Sequence, residues 1–288
     1  MLFLKKMIYL ILLLSFFCTS AAAFSGAGDG TDENPYQIEN AEHLNEINDN
    51  LSANYILMND LNLKEPIRSI GNSEKSFSGK FEGNHKTVHN ISLLKNDESH
   101  IGFFSYSNGT ITNLTLSNIS ANYEKDQGGL VGLNQGYLQN CHVKNVILTG
   151  ESSGGLAASN QGTIINCSSA GEINSNFGGG LVSTNSGTIT DSHSSCLVIG
   201  KTAAGGLVGS NYGRIQNCYA AGDVFSHFYA GGLVGIDNSK NIENSYSTGN
   251  VTESKKPEQD DKINLKTILF ALIIIGAILV MYLRIKKK

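Results

Sequence analysis

The stretch Gly205-Gly206-Leu207-Val208-Gly209-Ser210-Asn211-Tyr212-Gly213-Arg214-Ile215-Gln216-Asn217-Cys218 decides the fold, because nearly every feature in it recurs. GGL begins at Gly128, Gly154, Gly179, Gly205 and Gly231, at spacings of 26, 25, 26 and 26 residues, and a divergent copy, IGFFS, starts at Ile101. An N-x-G turn follows at Asn134, Asn160, Asn185 and Asn211, and the last copy carries Asp237-Asn238-Ser239-Lys240 instead. An apolar position comes next, at Ile111, Leu138, Ile164, Ile189, Ile215 and Ile242. Two residues further on stand Asn113, Asn140, Asn166, Asp191, Asn217 and Asn244. Chance does not keep four features in phase over six copies; this is a structural repeat.

Each unit holds runs such as GLVG, RIQNCYA and GDV between Gly- and Asn-rich turns. Those are strand lengths, and the glycines would break helices. A short strand-turn unit cannot bury its apolar face alone, whereas stacked copies share one continuous core. The pattern therefore predicts an all-β fold, a right-handed parallel β-helix with one coil per repeat. Six coils at about 4.8 Å give a repeat body roughly 29 Å long. The Asn113–Asn244 column is predicted to be a structural ladder of stacked, buried amides, with a ligand-facing surface as the other reading.

Residues 24–100 are predicted to form an N-terminal cap and the first coils. Asn40 is placed to cap a short helix running to Leu51, with Ala41, Leu44, Ile47 and Leu51 on one side. Strand-like runs follow at 55–58 and 87–94. A solenoid needs such a cover, because an open β edge invites aggregation.

The GGLVG copies at 128, 205 and 231, with N-x-G and then NC or NS behind them, resemble the GLUG repeat. Gly28-Asp29-Gly30-Thr31, Asn34-Pro35-Tyr36-Gln37-Ile38, Tyr55-Ile56-Leu57 and Phe81-Glu82-Gly83-Asn84 are similar to the leader that often precedes those repeats. The likeness covers about 28–250. It implies an adhesin-like surface region of a bacterium or archaeon and carries no catalytic residues. Departures are modest: the copies at Gly154 and Gly179 lose the final Gly, and the copy at Gly231 loses its N-x-G turn.

The two ends point to export. Lys5 and Lys6 precede an apolar run and then Ala21-Ala22-Ala23, a signal-peptide pattern that places cleavage after residue 23. At the other end an uncharged run starts at Ile268 and ends at Leu283, extended by Thr267, and reads as a transmembrane helix over 267–283. Residues 251–266 read as a polar stalk, and the basic tail 284–288 is expected in the cytoplasm by the positive-inside tendency. The body is then extracellular. Residues 24–262 hold all 25 acidic side chains but only 14 of the 21 Lys and Arg, a net charge of −11, so nucleic acid is excluded as a partner.

Chemistry-bearing residues are sparse. Between 101 and 250 there are eight acidic residues, of which Glu172 and Asp223 share one repeat position two coils apart. A lyase or glycoside hydrolase on a β-helix scaffold would need clustered carboxylates, so that activity is the alternative and a non-enzymatic surface protein the expectation. No G-x-S-x-G, H-E-x-x-H or Walker pattern and no C-x-x-C occurs, so neither cofactor nor metal is predicted. Cys141 and Cys167 share a repeat position, where a disulfide and a pair of small buried residues are both conceivable. Asn108 and Asn250 are the favoured glycosylation acceptors among seven sequons. Phe225, Phe228 and Tyr229, the densest exposed-type aromatic cluster, are the predicted contact patch for cell-surface glycans or other envelope proteins.

Overall fold

Each repeat lays three strands against the corresponding strands of the next, all parallel and in register, so that like residues stack on like. The computed structural model describes residues 24–94 and 97–254. The signal-peptide and transmembrane readings, and most of the stalk, lie outside the described residues, among which no helix is long and apolar enough to cross a membrane. The result is a parallel β-solenoid of about eight turns.

One sheet runs through nine strands, from Tyr36–Ile38 through Tyr137–Gln139 to Ile242–Glu243. A second, of six strands, is built from the segments after each GGL, such as Val131–Asn134 and Val208–Asn211. The third contains the longest strands, His142–Gly154 and Ser168–Gly179. Register follows the repeat: Leu138 lies beside Ile111 and Ile164, and Ile189 beside Ile164 and Ile215. These five side chains have no solvent exposure and form one apolar column inside the coil. The GGL leucines 130, 156, 181 and 207 make another.

The glycines are explained by close approach. A Cβ at Gly205 would collide with the carbonyl oxygen of Val208, and one at Gly162 with that of Gly136 in the preceding coil. Neither turn closes with a larger residue.

The two ends of the stack differ. At the N-terminal end a helix, Ala41–Glu46, continues as a 3-10 turn, Ile47–Asp49, and pushes Leu44 and Ile47 into the core. Asn40 Oδ1 accepts from the His43 backbone N–H at 3.0 Å. Residues 24–100 also supply the first three strands of the nine-stranded sheet, so coil geometry starts well before the first GGL. At the other end Leu233, Val234 and Ile242 occupy core columns yet are only half-buried, since no further described coil covers them.

Candidate functional site

Three asparagine columns run along the stack, one buried and two facing outward. In the corner column, Asn113, Asn140, Asn166, Asp191, Asn217 and Asn244 all adopt left-handed backbone, with φ between 47° and 55°. Asn and Asp tolerate that conformation best among non-glycine residues, which explains why they recur. Each amide donates to the coil before it: Asn140 Nδ2 to Asn113 Oδ1 at 2.9 Å, Asn166 to Asn140 at 2.7 Å, Asn217 to Asp191 at 3.0 Å and Asn244 to Asn217 at 3.4 Å. Asp191 has no N–H to give to Asn166, so the chain of bonds breaks there. Asn113 ends it on Glu82, whose carboxylate also accepts from Thr112 Oγ1. The expected burial needs correcting. This corner turns outward, leaving Asn113 and Asn140 half-buried and Asn166, Asp191, Asn217 and Asn244 exposed.

The buried column is the one in the N-x-G turns. Asn134, Asn160, Asn185 and Asn211 have no solvent exposure. Asn185 shows their bonding in full. Its Nδ2 donates to Asn211 Oδ1 at 2.8 Å and to its own turn's Gly187 carbonyl at 3.4 Å. Its Oδ1 accepts from Asn160 Nδ2 at 2.8 Å and from the Gly187 N–H at 3.3 Å. All four valences of the amide are used. The column ends on Asp237, where burial raises the carboxyl pKa but bonds from Ser239 and Asn211 bring it below the usual value. A third column, Asn62, Asn90, Asn118 and Asn145, links the earlier coils by bonds of 2.7–3.0 Å on an exposed bulge.

The Cys141, Cys167, Ser192, Cys218, Ser245 column follows from the corner. The residue after a left-handed Asn points its backbone N–H along the stack, and the next coil's side chain accepts it: Cys141 N–H to Cys167 Sγ at 3.4 Å, Cys167 N–H to Ser192 Oγ at 3.0 Å and Cys218 N–H to Ser245 Oγ at 2.9 Å. The thiols are free, and burial pushes that of Cys141 well up and that of Cys218 up to about 11. Inert buried thiols result.

Glu172 and Asp223 are not brought together. Leu197 occupies the intervening coil beside Glu172, and Asp223 Oδ1 accepts both the backbone N–H and the side-chain amide of Asn250, at 2.8 and 3.1 Å. The same contact occupies the Asn250 sequon, whereas Asn108 is exposed in its turn. Among the described residues no cluster of three potential metal ligands occurs.

Phe225, Phe228 and Tyr229 are 41%, 43% and 45% exposed, so the patch faces solvent on the last coils. Tyr212, Tyr219 and Tyr246 are exposed there as well. Rings at one repeat position stack along the axis: His193 on Tyr219 at 4.6 Å and 3°, Tyr219 on Tyr246 at 5.7 Å and 15°. Tyr123 is held by its hydroxyl on the Leu93 carbonyl.

The same repeat position holds Thr115, His142 and Ser168 in earlier coils. Between it and the amide corner lies an open groove of 310 Å³, lined by His85, Asn113, Thr115, Asn140, His142 and Asn166. His142 Nδ1 is paired with Ser168 Oγ at 2.8 Å. Burial, then Lys144 and His193, push the His142 pKa down, so the ring is neutral at pH 7. Aligning the repeats two residues past the corner asparagine exposes this column in the sequence, but its residue types vary and no single one announces it.

Comparison with known proteins bears on the repeat. Residues 200–224 match the family model of the GLUG motif. The matched segment is one copy of the repeat, and the copies at Gly128, Gly154, Gly179 and Gly231 share its spacing. A halomucin of Haloquadratum walsbyi is 32% identical over 131 residues, 39% of this chain and 1% of the relative. A protein of Evansella cellulosilytica named as a Gly-rich membrane protein is 30% identical over 138 residues, 43% of this chain. The chain spans only 16% of that relative. Among solved structures, a Bacteroides ovatus protein described as an immunoglobulin A1 protease superposes with a TM-score of 0.50 at 18% identity, over 77% of this chain and 86% of the other. An IgA1 protease gives 0.53 at 21% identity, over 76% of this chain and 20% of its own. At those identities the likeness concerns the solenoid fold alone.

Proposed function

We propose that this GLUG-repeat chain is a membrane-anchored, extracellular, right-handed β-solenoid that acts by binding, with glycans of a cell envelope as its ligand class, and that it is not an enzyme. The observation that carries the reading is the exposed aromatic group Phe225, Phe228 and Tyr229, with Tyr212, Tyr219 and Tyr246 also exposed on the last coils. Exposed rings offer apolar faces to the C–H faces of sugars, and singly exposed hydrophobics are common but a cluster marks an interaction site. The name of the Evansella relative supports an envelope location. The hand is the one parallel crossovers adopt. The apolar run from Ile268 to Leu283 is the anchor.

Against catalysis stands the separation of Glu172 from Asp223 and the engagement of Asp223 by Asn250. The test incubates the protein with a panel of envelope polysaccharides and records retained polymer and new reducing or unsaturated ends together. Retention with ends unchanged is expected. New ends, lost in a Glu172→Gln, Asp223→Asn double variant, would make the protein a lyase or hydrolase. Deleting residues 268–288 is expected to release the body into the medium; persistence with the membrane would contradict the anchor.

A further inference from the structure

We infer that the groove lined by His85, Asn113, Thr115, Asn140, His142 and Asn166 is a binding track for a linear, uncharged polysaccharide laid parallel to the solenoid axis. This rests on the glycan-binding reading and adds a second, extended site, distinct from the aromatic cluster on the last coils.

The wall amides make the argument. Asn140 donates one N–H to Asn113 and accepts one from Asn166, so two of its four valences are engaged by protein. An amide offers two donors and two acceptor lone pairs, which leaves one of each for the groove. A side-by-side donor and acceptor matches a pair of neighbouring sugar hydroxyls. Asn113 and Asn166 stand in the same corner position one coil to either side, so polar amide groups line the groove at a rise of about 4.8 Å, with Asn140 offering the matched pair at the centre. One pyranose of an extended glycan chain has a similar length. An extended peptide advances about 3.3 Å per residue, or roughly 6.7 Å per repeat of its side-chain pattern, and falls out of phase. The groove crosses coils carrying His85, Asn113, Asn140 and Asn166, so three rises of about 4.8 Å give roughly 14 Å, room for about three sugars.

The opposite wall sets the class. Ser168 engages the His142 ring through Nδ1, which leaves Nε2 of this groove-lining residue available to a ligand. No Lys, Arg, Asp or Glu lines the cavity, and Glu82 at its end is spent on Thr112 and Asn113. Lys144 stands close enough to act on His142 but is not part of the lining, so a uronic acid or sulfated chain would find no cation within the groove itself, whereas neutral hydroxyls meet neutral partners.

Two substitutions with precedent in the fold test this. His142→Ser installs the residue that occupies the same column at Ser168, and Asn140→Asp the residue that occupies the corner at Asp191. The full-length protein in detergent is titrated with cellohexaose, laminarihexaose and mannohexaose, with a hyaluronan hexasaccharide and a Gly/Ser peptide as the other arms. At least one neutral hexasaccharide should bind, and each variant should weaken it by about fivefold to tenfold, as loss of one or two hydrogen bonds gives. Glu33→Gln, an exposed position outside both surfaces, should leave hexasaccharide affinity within about twofold, and a Phe225→Thr, Phe228→Ser, Tyr229→Ser triple variant reports the aromatic cluster's own share of binding. Circular dichroism confirms that each variant is folded. If the triple variant abolishes binding while His142→Ser and Asn140→Asp do not, the groove is overturned and the aromatic cluster alone carries glycans. Preference for hyaluronan or the peptide overturns the ligand class. Binding of no polymer at all removes the parent reading along with this one.

Discussion

Asn185 and Asn140 are the same residue type, recur at the same period, and stack on asparagines above and below, yet they do different work. Asn185 is fully buried and spends all four amide valences inside the protein. Asn140 sits on an outward corner and spends two. A buried polar group must be satisfied completely or it destabilises the fold, whereas an exposed one can hold something back. The inner column therefore tolerates little change. The outer column accepts an aspartate in mid-stack, at 191, whereas the inner one carries its aspartate, Asp237, at its exposed end; the outer column also keeps donors and acceptors for a ligand.

The largest test of that contrast is Asn185→Asp. The substitution turns two donated hydrogen bonds into oxygen–oxygen contacts and buries a charge, and should cost about 3–4 kcal/mol of unfolding free energy. Asn140→Asp loses one half-buried bond and should cost about 1 kcal/mol or less. Chemical denaturation of both variants measures the difference; equal losses would erase the distinction between the columns.

Next in size, Asp191→Asn should stabilise by about 0.5–1 kcal/mol, since the new amide can donate to Asn166 while still accepting from Asn217. An unchanged or lowered midpoint would mean that the corner bonds contribute nothing. A smaller effect concerns pH. Burial holds His142 and His193 below their usual 6.5, so the unfolded chain binds more protons than the native one as pH falls through that value. Stability should decline from pH 7 toward pH 5, and a His142→Ser, His193→Ser variant should show a shallower decline. Reductant should have no effect on the denaturation midpoint at all, because the four thiols of the solenoid are free.

Much of the architecture was legible because a solenoid repeats its environments. Ile111, Leu138, Ile164, Ile189 and Ile215 share one interior position, so their spacing alone implies stacking. The site was less legible. The N-x-G and corner asparagines look equivalent in the sequence, and the corner was expected to be the buried one. Which column faces inward depends on where the chain turns, a property of the closed coil that no single residue carries. The Asn62–Asn145 column escaped notice because its spacings are 27 and 28 residues and its earliest coils lack the GGL marker. The groove was hidden for a different reason. Thr115, His142, Ser168, His193 and Tyr219 share a position but no chemistry, so alignment by residue type passes over them. The aromatic cluster at 225–229 was visible directly, since local density needs no fold to reveal it.

The most direct measurement follows the asparagine side-chain amides by NMR as a neutral hexasaccharide is added. The Asn113, Asn140 and Asn166 side-chain N–H signals should move in proportion to bound sugar, while those of Asn160 and Asn185 stay fixed. Shifts confined to residues around Phe225 and Tyr229, or equal movement of both columns, would contradict the account.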